Sequence, residues 1–169
     1  QIVRSVSKAV EIPVTVKTRL GWCSNSKDHV NFGLKMQLAG AQLITLHGRT
    51  RKQGFSGVAN WAAIAEVKRA LKIPLIANGD INSVNDAMRC LRTTGADGIM
   101  LGRGTMGAPW LVGQIDLAIR GEKVFNTPTA KEKIIIALDH LEGLLQSKGD
   151  HGLLIARKHM NWTCKGFPG

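Results

Sequence analysis

Four places in the chain put residues capable of chemistry at the end of a short apolar run: Lys17, His47, Asn78-Gly79-Asp80 and Gly102-Arg103-Gly104. A lysine offers a fixed ammonium, and a histidine an imidazole that donates or accepts. Asn78 and Asp80 can hydrogen-bond a ring edge or ligand hydroxyls, and Gly79 lets backbone approach a ligand closely. Gly102 and Gly104 expose backbone N–H groups beside the planar fork of Arg103, a pairing suited to phosphate. Arg49, Arg51 and Lys52 come soon after His47 and suit phosphate contacts too. Each has a plainer reading taken singly: a surface lysine, a structural histidine, a polar turn, solvated loop charge. Their recurrence at the same point of successive elements favours a shared site.

Those elements alternate. Strands are expected at Ile12–Thr18, Leu43–His47, Ile73–Asn78 and Gly98–Leu101, with Lys17 closing the first. Helices are expected at His29–Ala39 (capped by Gly40), Trp61–Leu71 (opened by Asn60), Ser83 to about Arg92, and Pro109–Ile119. Short apolar strands separated by helices predict βα units and a parallel sheet buried on both faces. In such folds the loops after the strands' C-terminal ends carry function, and in barrels phosphate often binds after strands seven and eight. The last two strands here, ending in NGD and GRG, would be those strands. From about Gly121 the pattern turns helical. A capping box at Thr129–Glu132 opens a helix whose packing face reads Ile134, Leu138, Leu141 and Leu145, and a second helix is expected over His151–Thr163.

Four βα units do not close a barrel, which takes eight strands and about 250 residues. The expected architecture is therefore the second half of a (β/α)8 TIM barrel over residues 1–122, followed by a helical module over 123–169, the break lying in 121–128. The missing half is expected before Gln1, since an open half would expose two sheet edges.

Net charge is +11, and the excess is uneven: residues 1–60 carry nine Lys/Arg against two acids, net +7. That balance suits an anionic partner. Cys23, Cys90 and Cys164 are scattered and odd in number, which argues against a disulfide framework or zinc site and fits a reducing cytoplasm. No apolar run of about 18 residues is present to span a membrane.

The stretches VTVKTRLGW (14–22), ITLHGRTRKQGFSG (44–57), IPLIANGDI (73–81), ADGIMLGRGTMGAPWL (96–111) and ARKHMNWTCKGFPG (156–169) together resemble the bacterial-type tRNA dihydrouridine synthases, in that family's order and spacing. The resemblance implies a monomeric FMN enzyme, reduced by NADPH, that converts uridine to dihydrouridine in tRNA. It implies FMN contacts at Lys17, His47, Asn78, Gly79, Asp80, Gly102 and Arg103. The basic segments at Arg49, Arg51, Lys52 and at Arg157, Lys158, His159 are the candidate tRNA contacts, the latter within the C-terminal helical domain. The family's proton-donor cysteine lies in a Cys-Pro loop. No Cys-Pro occurs here, so no catalytic residue is assigned within the chain, and the chain alone is expected to be inactive. Two other readings remain open: another FMN barrel of the dihydroorotate dehydrogenase type, and a non-catalytic RNA-binding remnant.

Overall fold

The computed structural model describes residues 1–26 and 28–167, so Pro168 and Gly169 of the last matching stretch lie outside the described residues. The chain forms two compact units, Gln1–Gly102 and Arg103–Gly169.

The first unit contains α1 (Ile2–Ala9), β1 (Thr15–Arg19), α2 (His29–Leu38), β2 (Leu43–His47), α3 (Trp61–Ala70), β3 (Leu75–Asn78), α4 (Val84–Thr94) and β4 (Gly98–Met100). Its strands form one parallel sheet in the order β1-β2-β3-β4. Side chains alternate between the two faces of each strand. One face carries Ile44, Leu46, Leu75 and Ala77, all 1% exposed or less. Ile64 and Val67 of α3 and Ala87 and Cys90 of α4 are buried to the same degree. Burying each large aliphatic side chain contributes about 1.5–3 kcal/mol. Helices α2 and α3 approach closely because Gly33 has no side chain: a Cβ there would lie 3.2 Å from Val67 Cγ1.

The other face is buried only in part, short of the expectation of burial on both sides: Thr45 and His47 are 5% and 6% exposed. Thr15 and Lys17 are exposed, and so is Met100 at 37%. This face carries two polar rungs along the register, Lys17–Thr45–Ile76–Gly98 and Arg19–His47–Asn78–Met100.

Helix caps agree with their sequence signals. The Asn60 side chain accepts from Ala63 N, and Ser83 from Asp86 N. Boundaries shift where proline intervenes. β1 begins after Pro13, not at Ile12, and runs on through Arg19, so Lys17 lies inside the strand. β3 begins after Pro74, although the Pro74 carbonyl still accepts from Ile44 N at 3.0 Å. Helix α4 extends past Arg92 to Thr94, and β4 stops at Met100.

The second unit contains the 3-10 turn Arg103–Thr105, α5 (Leu111–Ile119), α6 (Ala130–Lys148) and α7 (Asp150–Cys164). The division between units falls at 102/103, ahead of the expected break at 121–128. Gln114 Nε2 of α5 donates to Phe125 O in the segment leading into α6 at 3.0 Å, and Lys133 of α6 stands over the ring of Trp110, the N-cap of α5. Gly107, with φ 73°, lies against the backbone of α7, where a Cβ would overlap the Trp162 carbonyl. Thr129 and Glu132 form the expected capping box of α6. Its packing face is not the expected stripe, however. Ile134, Leu138 and Leu145 are 46%, 56% and 38% exposed, and Ala137 is the buried position. Spacing cannot select the face, because α6 carries apolar residues at 134, 135, 136, 138, 141, 144 and 145, around most of its circumference.

Candidate functional site

The polar rungs of the sheet bring Lys17, Asn78 and His47 together. Lys17 Nζ donates to Asn78 Oδ1 at 3.2 Å, while Asn78 Nδ2 donates to Met100 O at 2.7 Å. The Asn78 amide thus bridges β1, β3 and β4 and fixes where the ammonium stands. Burial, and then the neighbouring charge of Arg19, lower the Lys17 pKa. An ammonium has three donors, so two remain after the Asn78 bond.

His47 ends β2 and is 6% exposed. Its pKa is pushed down to about 4, first by burial and then by Arg19, Lys17 and Arg49, with Asp80 opposing. The ring is therefore neutral near pH 7. Its Nε2 is buried and has no hydrogen-bond partner among the described residues. Buried polar atoms are normally satisfied, and the nearby Arg49 Nη1 is unsatisfied among the described residues as well.

The Asn78-Gly79-Asp80 turn lies against that ring. Gly79 has φ 118°, and a Cβ there would sit 2.9 Å from His47 Cδ2 and from Ala59 Cβ. Asp80 has φ 57°, a left-handed conformation that aspartate tolerates. Trp61 Nε1 donates to Gly79 O at 3.0 Å, and Gly48 N to Asn78 O at 3.0 Å. The turn is held from two sides, by Gly48 just after β2 and by Trp61 at the start of α3.

The loop after β2 overturns one expectation. Arg49 is 2% exposed, with its guanidinium donating to Ser56 O, Gly57 O and Asp80 Oδ2 at 3.0, 2.6 and 2.7 Å. It points inward and cannot grip an external phosphate. Arg51 and Lys52 are exposed, their backbone N–H groups bonded to Gly21 O and Trp22 O at 2.8 Å. An open concavity of about 500 Å³ adjoins them, lined by residues including Thr50, Lys52, Gln53 and Ser56. Sequence reasoning missed Arg19, whose guanidinium donates to Thr50 O and Gly54 O at 3.0 Å each and lowers the pKa of both Lys17 and His47. The signal was the i, i+2 spacing of Lys17 and Arg19 on one strand.

Gly102 closes the first unit and Arg103 opens the second, where it starts the 3-10 turn; both are exposed. In α7, Arg157 and Lys158 are exposed and line an open concavity of about 330 Å³ with Leu154 and Asn161. His159, the third expected tRNA contact of this segment, is placed differently from its two neighbours. Its half-buried ring packs edge-on against His140 and Trp162, at 4.6 and 5.3 Å between centroids. Burial, then His140, lower its pKa. Among the described residues no cluster of three or more His, Cys, Asp or Glu could hold a metal ion, and no helix is long and apolar enough to cross a membrane. The Cys90 thiol, buried in α4, is pushed up to about 11 by its burial, which suits packing rather than proton transfer.

Comparison with known proteins identifies relatives over nearly the whole chain. The probable tRNA-dihydrouridine synthase 1 of Synechocystis sp. is 53% identical over 168 residues, covering 99% of this chain and 47% of that protein. The probable tRNA-dihydrouridine synthase of Rickettsia conorii is 43% identical over 169 residues (99% and 51%), and the tRNA-dihydrouridine synthase B of Xanthomonas axonopodis pv. citri 39% identical over 169 residues (99% and 51%). The chain spans about half the length of these curated relatives. A crystal structure of mandelate oxidase matches 71% of this chain and 50% of its own at 19% identity, with a TM-score of 0.47, too slight a likeness to build on. The model of the dihydrouridine synthase (Dus) family matches residues 1–169, every position of the sequence, and the chain belongs to that family.

Proposed function

We propose that this chain supplies the second half of a (β/α)8 barrel and the start of a helical tRNA-binding module, in a protein that reduces uridine to 5,6-dihydrouridine in tRNA with FMN and NADPH. The observation that carries the reading is the cluster of Lys17, Asn78 and His47 on one sheet face, in a family member. A flavin fits there on the donor set. His47 Nε2 is an orphaned buried polar atom, and Gly79, lacking a side chain, lets the turn backbone lie against the ring. Bound at this face, FMN supplies the electrons that saturate the uracil ring, and NADPH replenishes them.

The chain's own residues have distinct tasks in that reading. Lys17 holds its protons at Nζ and meets negative charge at a ring edge. Asn78 aims that ammonium. Neutral His47 offers a polar ring atom without adding a fourth positive charge beside Lys17, Arg19 and Arg49. Gly79 and Asp80 contribute backbone at close range, and Gly102 with Arg103 would hold a phosphate. Arg51, Lys52, Arg157 and Lys158 are the RNA-facing cations. None of the three cysteines stands in a Cys-Pro pair, so the acid that protonates the pyrimidine lies elsewhere in the full-length protein, and residues 1–169 alone do not turn over.

The test is to purify the full-length protein, record its flavin absorbance, and assay dihydrouridine formation on unmodified tRNA. The proposal expects a yellow, active protein and a Lys17→Met variant with weakened flavin binding. A colourless protein, or turnover of a free pyrimidine in preference to tRNA, would overturn it.

A further inference from the structure

We propose that Arg49 and Asp80 are a positioning pair, which ties the loop after β2 to the turn after β3 and so fixes the His47 ring and the Asn78 amide for a ligand. It deepens the flavin reading and takes its ligand from it, but the pair itself stands on geometry.

Asp80 Oδ2 accepts from Arg49 Nη2 and from Ala59 N, each at 2.7 Å. The same guanidinium donates to Ser56 O and Gly57 O. One side chain therefore gathers residues 56–59 onto residue 80. Gly79 packs against both the His47 ring and Ala59, and Ala59 and Gly79 belong to the two segments so joined. Asn78 precedes Gly79, and its carbonyl accepts from Gly48 N, next to Arg49. Displacing the fork would loosen Gly79 and the Ala59 segment that backs it together. The arrangement also requires arginine specifically. Three acceptors converge on a planar fork that a single ammonium cannot reproduce. Burying a guanidinium is costly, so a placement whose three bonds go to one loop and one turn points to fixing geometry.

The groups facing His47 are Lys17 and Arg19 from β1, Arg49 from the loop after β2 and Asp80 from the turn after β3. They make the His47 titration a readout that separates positioning from simple charge. It would be followed by NMR of histidine-labelled full-length protein, with and without FMN, alongside FMN affinity from flavin fluorescence. Arg49→Lys keeps the charge and loses the fork. Positioning predicts that water reaches the ring and its pKa climbs by about one unit or more towards the ordinary 6.5, with FMN affinity reduced roughly tenfold or more. A pure charge effect predicts no change. Asp80→Gly suits φ 57° and removes a carboxylate that raises the His47 pKa, so charge alone predicts a fall and positioning a rise. Asp80→Asn retains an acceptor and should restore most of the FMN affinity. An unmoved His47 in Arg49→Lys, or a lowered one in Asp80→Gly, overturns the proposal. If Arg49→Lys does not fold, the two Asp80 variants carry the same test. If the wild-type protein binds no FMN, the flavin reading fails while the titration still decides the pair.

Discussion

Replacing Gly79 by alanine tests the closeness of the turn to His47 most directly. Two costs add. An L-residue at φ 118° is strained, by about 1–2 kcal/mol in the left-handed region. The new methyl would also sit 2.9 Å from both His47 Cδ2 and Ala59 Cβ, so a packed neighbour must move, at about 1–3 kcal/mol. Loss of glycine's freedom in the unfolded chain returns about 0.4–1 kcal/mol. The net expectation is a destabilisation of about 1–4.5 kcal/mol, which at about 2 kcal/mol per molar urea lowers the midpoint by about 0.5–2 M. Urea unfolding of the full-length protein at pH 8, where His47 is neutral, measures it. Gly54→Ala is the control: φ is 56° and no heavy atom lies within 4 Å of its Cβ, so only the backbone cost applies. If the two variants lose stability equally, within about 0.5 kcal/mol, steric contact with His47 is not what demands glycine at 79.

Three further outcomes are expected. His47 has a folded pKa of about 4 against an ordinary 6.5, so the unfolded chain binds its proton first; stability should be constant above pH 6.5 and fall as pH drops from 6.5 towards 4. Urea midpoints across that range should show the acid limb, and His47→Gln should flatten it. Arg51→Ala with Lys52→Ala should weaken tRNA binding and reduce the slope of log affinity against log salt by about 1 per lost phosphate contact, measured by filter binding; an unchanged slope removes them from the interface. Thr129→Ala should cost about 1 kcal/mol by breaking the capping box of α6, read as a lowered urea midpoint, while leaving FMN affinity intact.

The first unit was largely legible because its strands are short, apolar and punctuated. β2 falls where the run LITLH puts it, and Asn60 and Ser83 cap the helices they precede. The Lys17 and His47 positions were legible because polar residues at the C-terminal ends of parallel strands stand out against apolar runs. Arg49 was not. In a loop with Arg51 and Lys52 it resembles its neighbours, and what turns it inward is Ser56 O, Gly57 O and Asp80, the last 31 residues later. The α6 face was hidden by excess rather than lack of signal, since a helix apolar on most sides offers several stripes of equal quality. Helix α1 went unread: it spans only eight residues and none of them is buried. His159 sits beside Arg157 and Lys158 in sequence, but helical geometry turns it towards His140 of the neighbouring helix, and adjacency in sequence is no guide to that.

The order of the sheet has a consequence for how the protein is made. Strands lie side by side in the order they occur in the chain, and paired residues such as Thr15 and Leu43, Ile44 and Leu75, or Ile76 and Gly98 are 28, 31 and 22 positions apart. No pairing in this sheet has to wait for a distant segment. Each strand meets, as its partner, the strand synthesised just before it, and the helix between them covers the newly formed junction. The sheet can therefore lengthen by one βα unit at a time while the chain is still leaving the ribosome, and the edge open to mispairing is renewed at each step by the next strand.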